Sequence, residues 1–357
     1  ARAALGHAGG AWSSYGTQDT ASLRALEEAL ELLPRDDSVL RAQTLARLGE
    51  LLYYAGGSEE RVPMIVAEAV QMARRLDDPA ALIAALSASM FAHWRPDELQ
   101  ARLDVSHELV ELCEAQGDAP AAARAHAWRG IALLESCRAE EAFADIARHA
   151  DLTDRVRQAE LVNHAAAFTA MRDVLVGRFE EAEGTVLRVL TVGERANAND
   201  ALQSYGVLMI ALRNEQLRLG ELIEHFEMLG DAIEALPGWR TALAWAYLQA
   251  GRSDESRAAV ADLHRDDFAV LPRDANFIPA LTILGHMVAE LDDLALAEDL
   301  ERNLRPYQDR WVVLGAGSAT VGPVAWALGT AALVRGDGEQ AIRDFGRGLE
   351  HSRTLGS

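Results

Sequence analysis

The feature that most constrains the fold of this chain is a short segment that recurs along its length at a near-constant interval. Each copy starts with a turn residue, often glycine, continues with polar residues, and ends five positions later on a residue that is usually small. The copies are GSEERV from Gly57, PDELQA from Pro96, CRAEEA from Cys137, GRFEEA from Gly177, GELIEH from Gly220, GRSDES from Gly251, DDLALA from Asp292 and GDGEQA from Gly336. Successive copies start 39, 41, 40, 43, 31, 41 and 44 residues apart. A period of this kind indicates a repeat architecture.

Between the copies, Ala, Leu, Arg and Glu recur with the i, i+3, i+4, i+7 spacing of amphipathic helices, and the alternation typical of strands does not persist. We therefore predict an all-α fold in which each repeat is a helical hairpin. The first helix ends at the turn residue, where glycine permits a left-handed conformation, and acidic residues open the second helix at the positive end of its dipole. The small residue allows the two helices to approach closely.

A second signal separates one hairpin from the next. Residues 75–79, 116–120 and 197–200 place Asp or Asn before Pro or Ala, which is typical of the N-cap of a new helix. The 31-residue interval contains Leu236-Pro237-Gly238-Trp239, which we expect to shorten one connection. Because a single hairpin buries only one of its faces, neighbouring hairpins must stack on each other.

The composition excludes several kinds of chemistry. The chain has 34 basic residues, and all of them are arginine. A P-loop, a Schiff-base enzyme and a Ser-x-x-Lys hydrolase each need a lysine, so these mechanisms are excluded. The 55 acidic residues leave a net charge of −21, which disfavours direct binding to nucleic acid or to an anionic membrane.

Two further sequence features bear on the location of the protein. The cysteines, Cys113 and Cys137, form neither a Cys-x-x-Cys pair nor a disulfide framework, which favours a reduced, cytoplasmic setting. The longest uncharged stretch, residues 311–334, is long enough to span a bilayer but is interrupted by glycines and by Pro323. We predict a glycine-rich loop there, followed by a buried helix that begins near Pro323.

The sequence predicts no catalytic, cofactor-binding or metal-binding residue. The ten histidines include no His-Glu-x-x-His motif and no pair at i, i+4. The segment from Val312 to Gly317 has the start of a dinucleotide fingerprint, but Gly322 falls two positions late and no βαβ pattern surrounds it. Pairs of adjacent acidic residues lie at predicted turns, where helix capping and exposure to solvent explain them. The alternative interpretation is a catalytic carboxylate pair of the glycosidase type. The pairs are Asp36-Asp37, Asp77-Asp78, Asp266-Asp267 and Asp292-Asp293.

The hairpin signature, as in Gly-Arg-Phe-Glu-Glu-Ala, resembles tetratricopeptide repeats in their longer form of roughly 40 residues. Residues 237–252, 263–277 and 304–317 are similar to the C-terminal helical arm of large bacterial signal-transduction ATPases, which include LuxR-type regulators and cyclase-linked relatives. The resemblance implies a right-handed superhelical solenoid of about eight hairpins. It also implies a regulatory arm that receives a signal or a partner and restrains or releases an ATPase and an output domain.

The chain departs from this pattern where Cys137 and Asp292 replace the turn glycine, and where Ser256 and His225 replace the small residue. Looser hairpins are expected at those places. The Walker motifs, helix-turn-helix and cyclase residues of the family have no counterpart in these residues, so no catalytic residue is transferred. We expect residues 1–357 to form one repeat domain of a longer protein, with residues 1–20 either the tail of a preceding repeat or partly ordered.

In stacks of this type the first helices line the concave face, so the resemblance implies candidate groove residues for a protein partner or a small effector. Aromatic residues and arginines commonly anchor interfaces. The candidates are Tyr54, His93, Trp94, His164, Arg213, Arg218, Trp245, His286 and Trp326. The alternative is that the aromatic residues pack between repeats and that the Arg213 and Arg218 stretch is a solvated face.

Three functional hypotheses follow. The first is a non-catalytic sensor or interaction arm of a cytoplasmic bacterial regulator, which binds a protein partner, its own ATPase and output domains, or a small effector. The second is a stand-alone adaptor or homo-oligomerisation scaffold. The third is an enzyme, which the missing lysine, metal motif and nucleophile signature disfavour. No cofactor and no direct contact with nucleic acid or membrane is expected.

Overall fold

The computed structural model describes residues 1–7, 19–55, 60–193, 198–229 and 237–356, and this part of the chain is all-α apart from one two-stranded sheet. The α-helices are α1 (Arg2–His7), α2 (Thr20–Leu32), α3 (Val39–Ala55), α4 (Arg61–Leu76), α5 (Pro79–Ala92), α6 (Leu99–Gln116), α7 (Ala119–Glu135), α8 (Ala139–Val156), α9 (Ala159–Leu175), α10 (Phe179–Gly193), α11 (Ala198–Glu215), α12 (Ile223–Leu229), α13 (Pro237–Gln249), α14 (Ser253–Phe268), α15 (Phe277–Leu291), α16 (Leu294–Leu304), α17 (Val324–Val334) and α18 (Gly338–Leu355). Two 3₁₀ turns span Leu219–Leu222 and Arg305–Tyr307, and the strands are β1 (Trp311–Leu314) and β2 (Ala319–Pro323). The all-α prediction is therefore confirmed.

Five of the predicted turn residues adopt the left-handed conformation that ends a helix. They are Cys137, Gly177, Gly251, Asp292 and Gly336, with φ between 49° and 77°. In each case the next helix begins two residues later. A non-glycine residue in this conformation costs roughly 1–2 kcal/mol, so Cys137 and Asp292 hold the turn at some expense in stability.

The remaining turn predictions have different outcomes. Gly220 was expected to end a first helix, and this prediction is wrong, because Gly220 lies inside a 3₁₀ turn and Leu217 takes the left-handed conformation. A Cβ atom on Gly220 would lie 3.0 Å from the Cβ of Ala250, so this glycine permits a close approach of two segments. Pro96 lies in a turn before α6 that contains no left-handed residue. Gly57 lies outside the described residues.

The predicted N-caps between hairpins are confirmed at two places. The Asp78 carboxylate accepts a hydrogen bond from the Ala81 amide at 2.8 Å, and the Asp118 carboxylate accepts one from the Ala121 amide at 3.0 Å. These bonds satisfy amides at the start of α5 and α7 that no helical carbonyl reaches. At the third place α11 begins at Ala198, and residue 197 lies outside the described residues. Leu236 also lies outside them, and α13 begins at Pro237.

The small residue of the repeat is buried where the pattern is kept, as at Ala142, Ala182 and Ala297, each with 0% exposure. The hairpin at Ser256 is not looser as expected, because this residue is also fully buried and its hydroxyl donates to the Ala244 carbonyl at 2.9 Å. His225, in contrast, is exposed, so no close approach of two helices depends on a small residue at this position.

The chain divides into two compact units. Unit 1 comprises Ala1–Ala132, Ala142–Ala165 and Arg188–Ser204, and unit 2 comprises Leu133–Glu141, Ala166–Leu187 and Tyr205–Ser357. Within unit 1, α3 packs on both α4 and α5. Within unit 2, α13 packs on α14 and α15, and α15 packs on α16 and α17. The first helices α3, α13 and α15 thus each contact their own second helix and the first helix of the next hairpin.

Ion pairs join the second helices of successive hairpins at a sequence separation close to the repeat length. In unit 1 the pairs are Glu27–Arg61, Arg74–Glu108 and Glu114–Arg148, each 34 residues apart. In unit 2 the pairs are Asp267–Arg302 at 35 and Arg305–Asp344 at 39, where Arg305 lies in the 3₁₀ turn just after α16. His264 also hydrogen-bonds Asp299, at a separation of 35. A single exposed pair adds only about 0–1 kcal/mol to the free energy of unfolding. These pairs therefore mainly show which helices are neighbours.

Residues 311–323 form an antiparallel β-hairpin, so the predicted glycine-rich loop is corrected to two strands. Trp311 pairs with Pro323 and Leu314 with Ala319. Gly315 and Gly317 have positive φ at the connection. The buried helix that was predicted after Pro323 is confirmed, since α17 begins at Val324. None of the described helices combines the length and the hydrophobicity needed to cross a bilayer.

A buried bidentate ion pair joins α18 to the segment after α16. Arg305 donates to both carboxylate oxygens of Asp344 at 2.7 and 2.8 Å, and Gln340 donates to the same carboxylate at 3.0 Å. Burial raises the pKa of Asp344, but these hydrogen bonds outweigh it and hold the pKa below its ordinary value. The carboxylate is therefore ionised in the folded protein at neutral pH.

We expect Asp344→Asn to lower the free energy of unfolding by about 2 kcal/mol, because a neutral amide replaces the buried carboxylate that accepts from Arg305 and Gln340. Arg305 keeps its bidentate contact with Glu301 in the variant. Urea denaturation at pH 7 measures the change. Glu298→Gln, at an exposed position on α16, is the matched control and should change stability by less than about 0.5 kcal/mol. Equal stability of the two variants would contradict the prediction.

Candidate functional site

Three of the predicted groove residues lie around strand β2 in unit 2. Trp245 of α13 and His286 of α15 stack with their ring centroids 5.9 Å apart and their planes 19° apart. The backbone of Val321 in β2 hydrogen-bonds the His286 ring. The Trp326 ring, at the start of α17, lies 3.5 Å from where a Cβ atom on Gly322 would be. We call these five residues the hairpin cluster.

The imidazole of His286 is neutral at physiological pH. Burial lowers its pKa from 6.5 to about 4, and the hydrogen bond to the Val321 backbone opposes this only in part. Atom Nε2 is buried and has no hydrogen-bond partner among the described residues, although other parts of His286 reach the surface. Since the other ring nitrogen donates to the backbone, Nε2 is left as an acceptor. The cluster thus contains a neutral imidazole beside an indole face, and the acceptor atom Nε2 lies beneath the surface.

Close packing makes the hairpin cluster rigid. A Cβ atom on Gly348 of α18 would lie 2.0 Å from Cδ1 of Trp326, so the indole lies directly against the backbone of α18. Gly322 has φ 104°, a conformation that favours glycine. Trp245 packs against the core of unit 2, as does Val321. Each of these side chains is only half-buried, so part of the cluster surface is open to solvent.

The two predicted arginines in unit 2 are used within the protein. Arg213 is 8% exposed and donates to Glu183 and to Gln216. Arg218 is exposed and donates to both carboxylate oxygens of Glu221 at 2.7 and 2.9 Å. These hydrogen bonds lower the pKa of Glu183 and of Glu221. The pairing neutralises both guanidinium groups, so this stretch is not a basic patch for an acidic partner.

In unit 1, Tyr54 and Trp94 belong to an aromatic cluster. Tyr54 contacts Phe91 at 5.5 Å between ring centroids, and Trp94 contacts Trp128 at 5.0 Å in an edge-to-face arrangement. Trp94 is 4% exposed. The geometry favours packing between helices, which was the alternative for these residues. His93, which follows α5, contacts the Glu98 carboxylate through Nδ1 at 2.5 Å.

His164 is also buried in unit 1, at 9% exposure, with its ring 5.2 Å from that of His149. His149 is fully buried, and its Nδ1 donates to the Ala123 carbonyl at 2.9 Å. Burial lowers the pKa of His149 from 6.5 to about 4. Two further buried polar atoms on these helices, Oγ1 of Thr153 and Oδ1 of Asn163, have no hydrogen-bond partner among the described residues. His164 thus belongs to a polar region inside the unit.

A second buried network in unit 1 was not predicted from the sequence. The Asp145 carboxylate accepts from Arg129 at 2.6 and 2.7 Å and contacts Nδ1 of His126 at 2.7 Å. Nε2 of the same imidazole lies 3.2 Å from Glu114. Burial raises the pKa of Asp145, and the bonds from Arg129 and His126 outweigh it and lower the pKa. No local motif identifies this set, because its members lie on α6, α7 and α8.

Neither cysteine is activated as a nucleophile. Burial raises the pKa of Cys113 to about 12 and that of Cys137 to about 11, so both remain protonated thiols at neutral pH. Sγ of Cys137 donates to the Asp309 carbonyl at 3.6 Å, just before β1. Within the described residues, no three His, Cys, Asp or Glu side chains are arranged to hold a metal ion.

Comparison with known proteins gives no family for this chain. A scan against models of protein families finds no match, and a search of curated proteins finds none either. The resemblance to regulator arms therefore stays a prediction.

Proposed function

We propose that this chain is a non-catalytic helical-repeat arm of a cytoplasmic regulator, built as a right-handed solenoid of tetratricopeptide-like hairpins. In this proposal the first helices form the binding face for a protein partner or a small effector. The support for the repeat architecture is the set of ion pairs at 34–39 residues together with the five left-handed turns that precede second helices. Such stacks present extended surfaces made of equivalent helices.

The observation that favours the hairpin cluster as the centre of this face is the stack of Trp245 on His286. These residues come from successive first helices, and both remain partly exposed. A tryptophan at an interface supplies a large contact area, and a neutral imidazole ring stacked on it adds no charge. The cluster suits an uncharged group with an apolar or aromatic surface.

The other candidates fit the proposal less well. Trp94, His164 and Arg213 are each less than a tenth exposed, so substituting them would test packing as much as binding. The clearest test therefore uses Trp245 and His286. Trp245→Leu and His286→Gln each remove one feature of the cluster while they keep a side chain of comparable length.

The experiment is capture of binding partners on the immobilised protein from the cells that express it, identification by mass spectrometry, and measurement of the affinity of each variant for the identified molecule. We expect each substitution to weaken binding about tenfold or more, with the helical circular dichroism unchanged. Tyr247→Leu is the matched control, since Tyr247 lies on the same helix but contacts Arg252. Wild-type affinity in both cluster variants would remove the assignment of the binding face.

The second candidate is a stand-alone scaffold that acts by self-association, and an exposed apolar face on α18 favours it. An immunoblot of the native polypeptide separates the two candidates. A band well above 38.7 kDa supports an arm of a larger regulator, and a band near 38.7 kDa supports the scaffold.

A further inference from the structure

Helix α18 presents an apolar stripe to solvent. Ile342 is 75% exposed and Leu349 is 46% exposed, and these residues are seven apart, so they lie on the same side of the helix. Gly346 lies between them, is exposed, and has no other atom within 4 Å of where its Cβ would be. Exposed isoleucine and leucine at this spacing, with an open glycine at the centre, form a flat surface on which another helix can lie closely.

Four charged residues border the stripe, and they lie at similar distances on either side of Gly346. Glu339 lies seven residues before the glycine and Arg353 lies seven after it. Arg343 lies three before it and Glu350 lies four after it. All four are exposed, and Glu350 and Arg353 have no ion-pair partner in the described part of the chain. Each charged residue before the glycine is therefore matched by one of opposite charge after it, at the same distance or one position farther away.

We propose that α18 pairs antiparallel with the α18 of a second copy of this chain, with Gly346 at the crossing point. A two-fold axis through this point places each residue near the partner residues that lie on the same side of the contact line and at a similar distance beyond the glycine. A difference of one position shifts a residue by only about 1.5 Å along the helix. Glu339 then faces the partner's Arg353, Arg343 faces the partner's Glu350, and Ile342 faces the partner's Leu349.

Each of these three contacts occurs twice in a symmetric dimer. The interface therefore contains four ion pairs and two apolar contacts. Ile342 and Leu349 lie on one side of the central line through Glu339, Gly346 and Arg353, and Arg343 and Glu350 lie on the other. The antiparallel arrangement keeps the apolar residues on one side together and the charged residues on the other side together. A parallel pair would instead place each charge beside a like charge. The apolar and the charged residues of α18 thus both match those of a second copy of the helix. They do so in the antiparallel orientation.

The inference deepens the second candidate, self-association, and does not rest on the regulator arm. It is tested on the full chain by sedimentation equilibrium. We expect a species of twice 38.7 kDa whose fraction increases with protein concentration. Ile342→Asp should abolish it. Glu339→Arg alone and Arg353→Glu alone should each raise the dissociation constant about tenfold or more, because each creates two repulsive pairs. The double variant, Glu339→Arg with Arg353→Glu, should restore the wild-type value.

Mixing the two single variants gives a second test of the charge pairing between copies. One chain then has arginine at both ends of the stripe and the other has glutamate at both ends, so the heterodimer regains every favourable pair. We expect the mixture to associate more tightly than either variant alone. Arg24→Glu, an exposed change of equal charge on α2, is the control and should leave association unchanged.

The named outcomes decide the proposal. A wild-type chain that stays monomeric at all concentrations overturns it, and so does a dimer that Ile342→Asp leaves intact. A dimer that the single charge reversals weaken but that neither the double variant nor the mixture restores also overturns the antiparallel register. Circular dichroism of each variant verifies that the exposed substitutions leave the helical fold unchanged.

Discussion

Replacing Gly285 by alanine is expected to lower the free energy of unfolding by about 3 kcal/mol. Gly285 of α15 faces Ala327 of α17, and an added Cβ atom would lie 2.4 Å from the Cβ and 3.0 Å from the Cα of Ala327. Alanine has no rotamer that relieves this contact, and the obstacle includes the backbone. The two first helices must therefore move apart, with loss of packing in the core of unit 2.

Urea denaturation measures this change, and Gly184→Ala is the matched control. Gly184 lies on α10, is exposed, and has nothing within 4 Å of an added Cβ. Alanine there should stabilise the protein by up to about 1 kcal/mol, because it has the higher helix propensity. If Gly285→Ala stabilises the protein in the same way, α15 and α17 do not approach each other as described.

Acidification from pH 7 to pH 4 is expected to destabilise the protein, with His149 alone responsible for about 3 kcal/mol. Burial lowers the pKa of His149 from 6.5 to about 4 in the folded state, while the unfolded chain keeps the ordinary value. Above pH 6.5 both states are neutral and no stability is lost. Between pH 6.5 and 4 the unfolded state binds a proton that the folded state does not, so stability falls. Below pH 4 both states are protonated and the loss is complete.

Urea denaturation at a series of pH values from 7 to 4 measures this slope. His149→Gln, which retains a donor for the Ala123 carbonyl, should flatten the slope by about the amount assigned to His149. His107→Gln is the control, because His107 is exposed on α6. His286 has the same lowered pKa and remains in both variants. An unchanged slope in His149→Gln would mean that His149 is not held neutral in the folded protein.

The turns and caps were predictable because they depend on a few adjacent residues. Gly177, Gly251 and Gly336 take a left-handed conformation that glycine adopts at no steric cost, and Asp78 and Asp118 cap helices through amides three residues away. Gly220 was misassigned because the same residue type also serves close approach, here to Ala250. Local sequence does not distinguish these two uses of glycine.

The β-hairpin was missed because isolated two-stranded sheets are marginal in water. The Trp-Val-Val-Leu segment and the Ala-Thr-Val segment around a glycine-rich turn are the signal that could have indicated it. In the structure β1 packs against α15, and β2 packs against α15, α17 and α18. These contacts, which come from distant parts of the chain, supply the stability that the hairpin lacks alone.

The sequence by itself determined the helical class, the repeat interval, most hairpin turns and the start of α17, because each depends on local conformation and on the period of apolar residues. Only the tertiary structure decided which of the candidate groove residues contact each other. It stacks Trp245 on His286, buries Trp94 and Arg213, and leaves Ile342 exposed. The physical reason is that burial and ion pairing depend on neighbours one repeat or more away. An arginine that pairs with Glu183 across 30 residues reads in sequence like any solvated arginine.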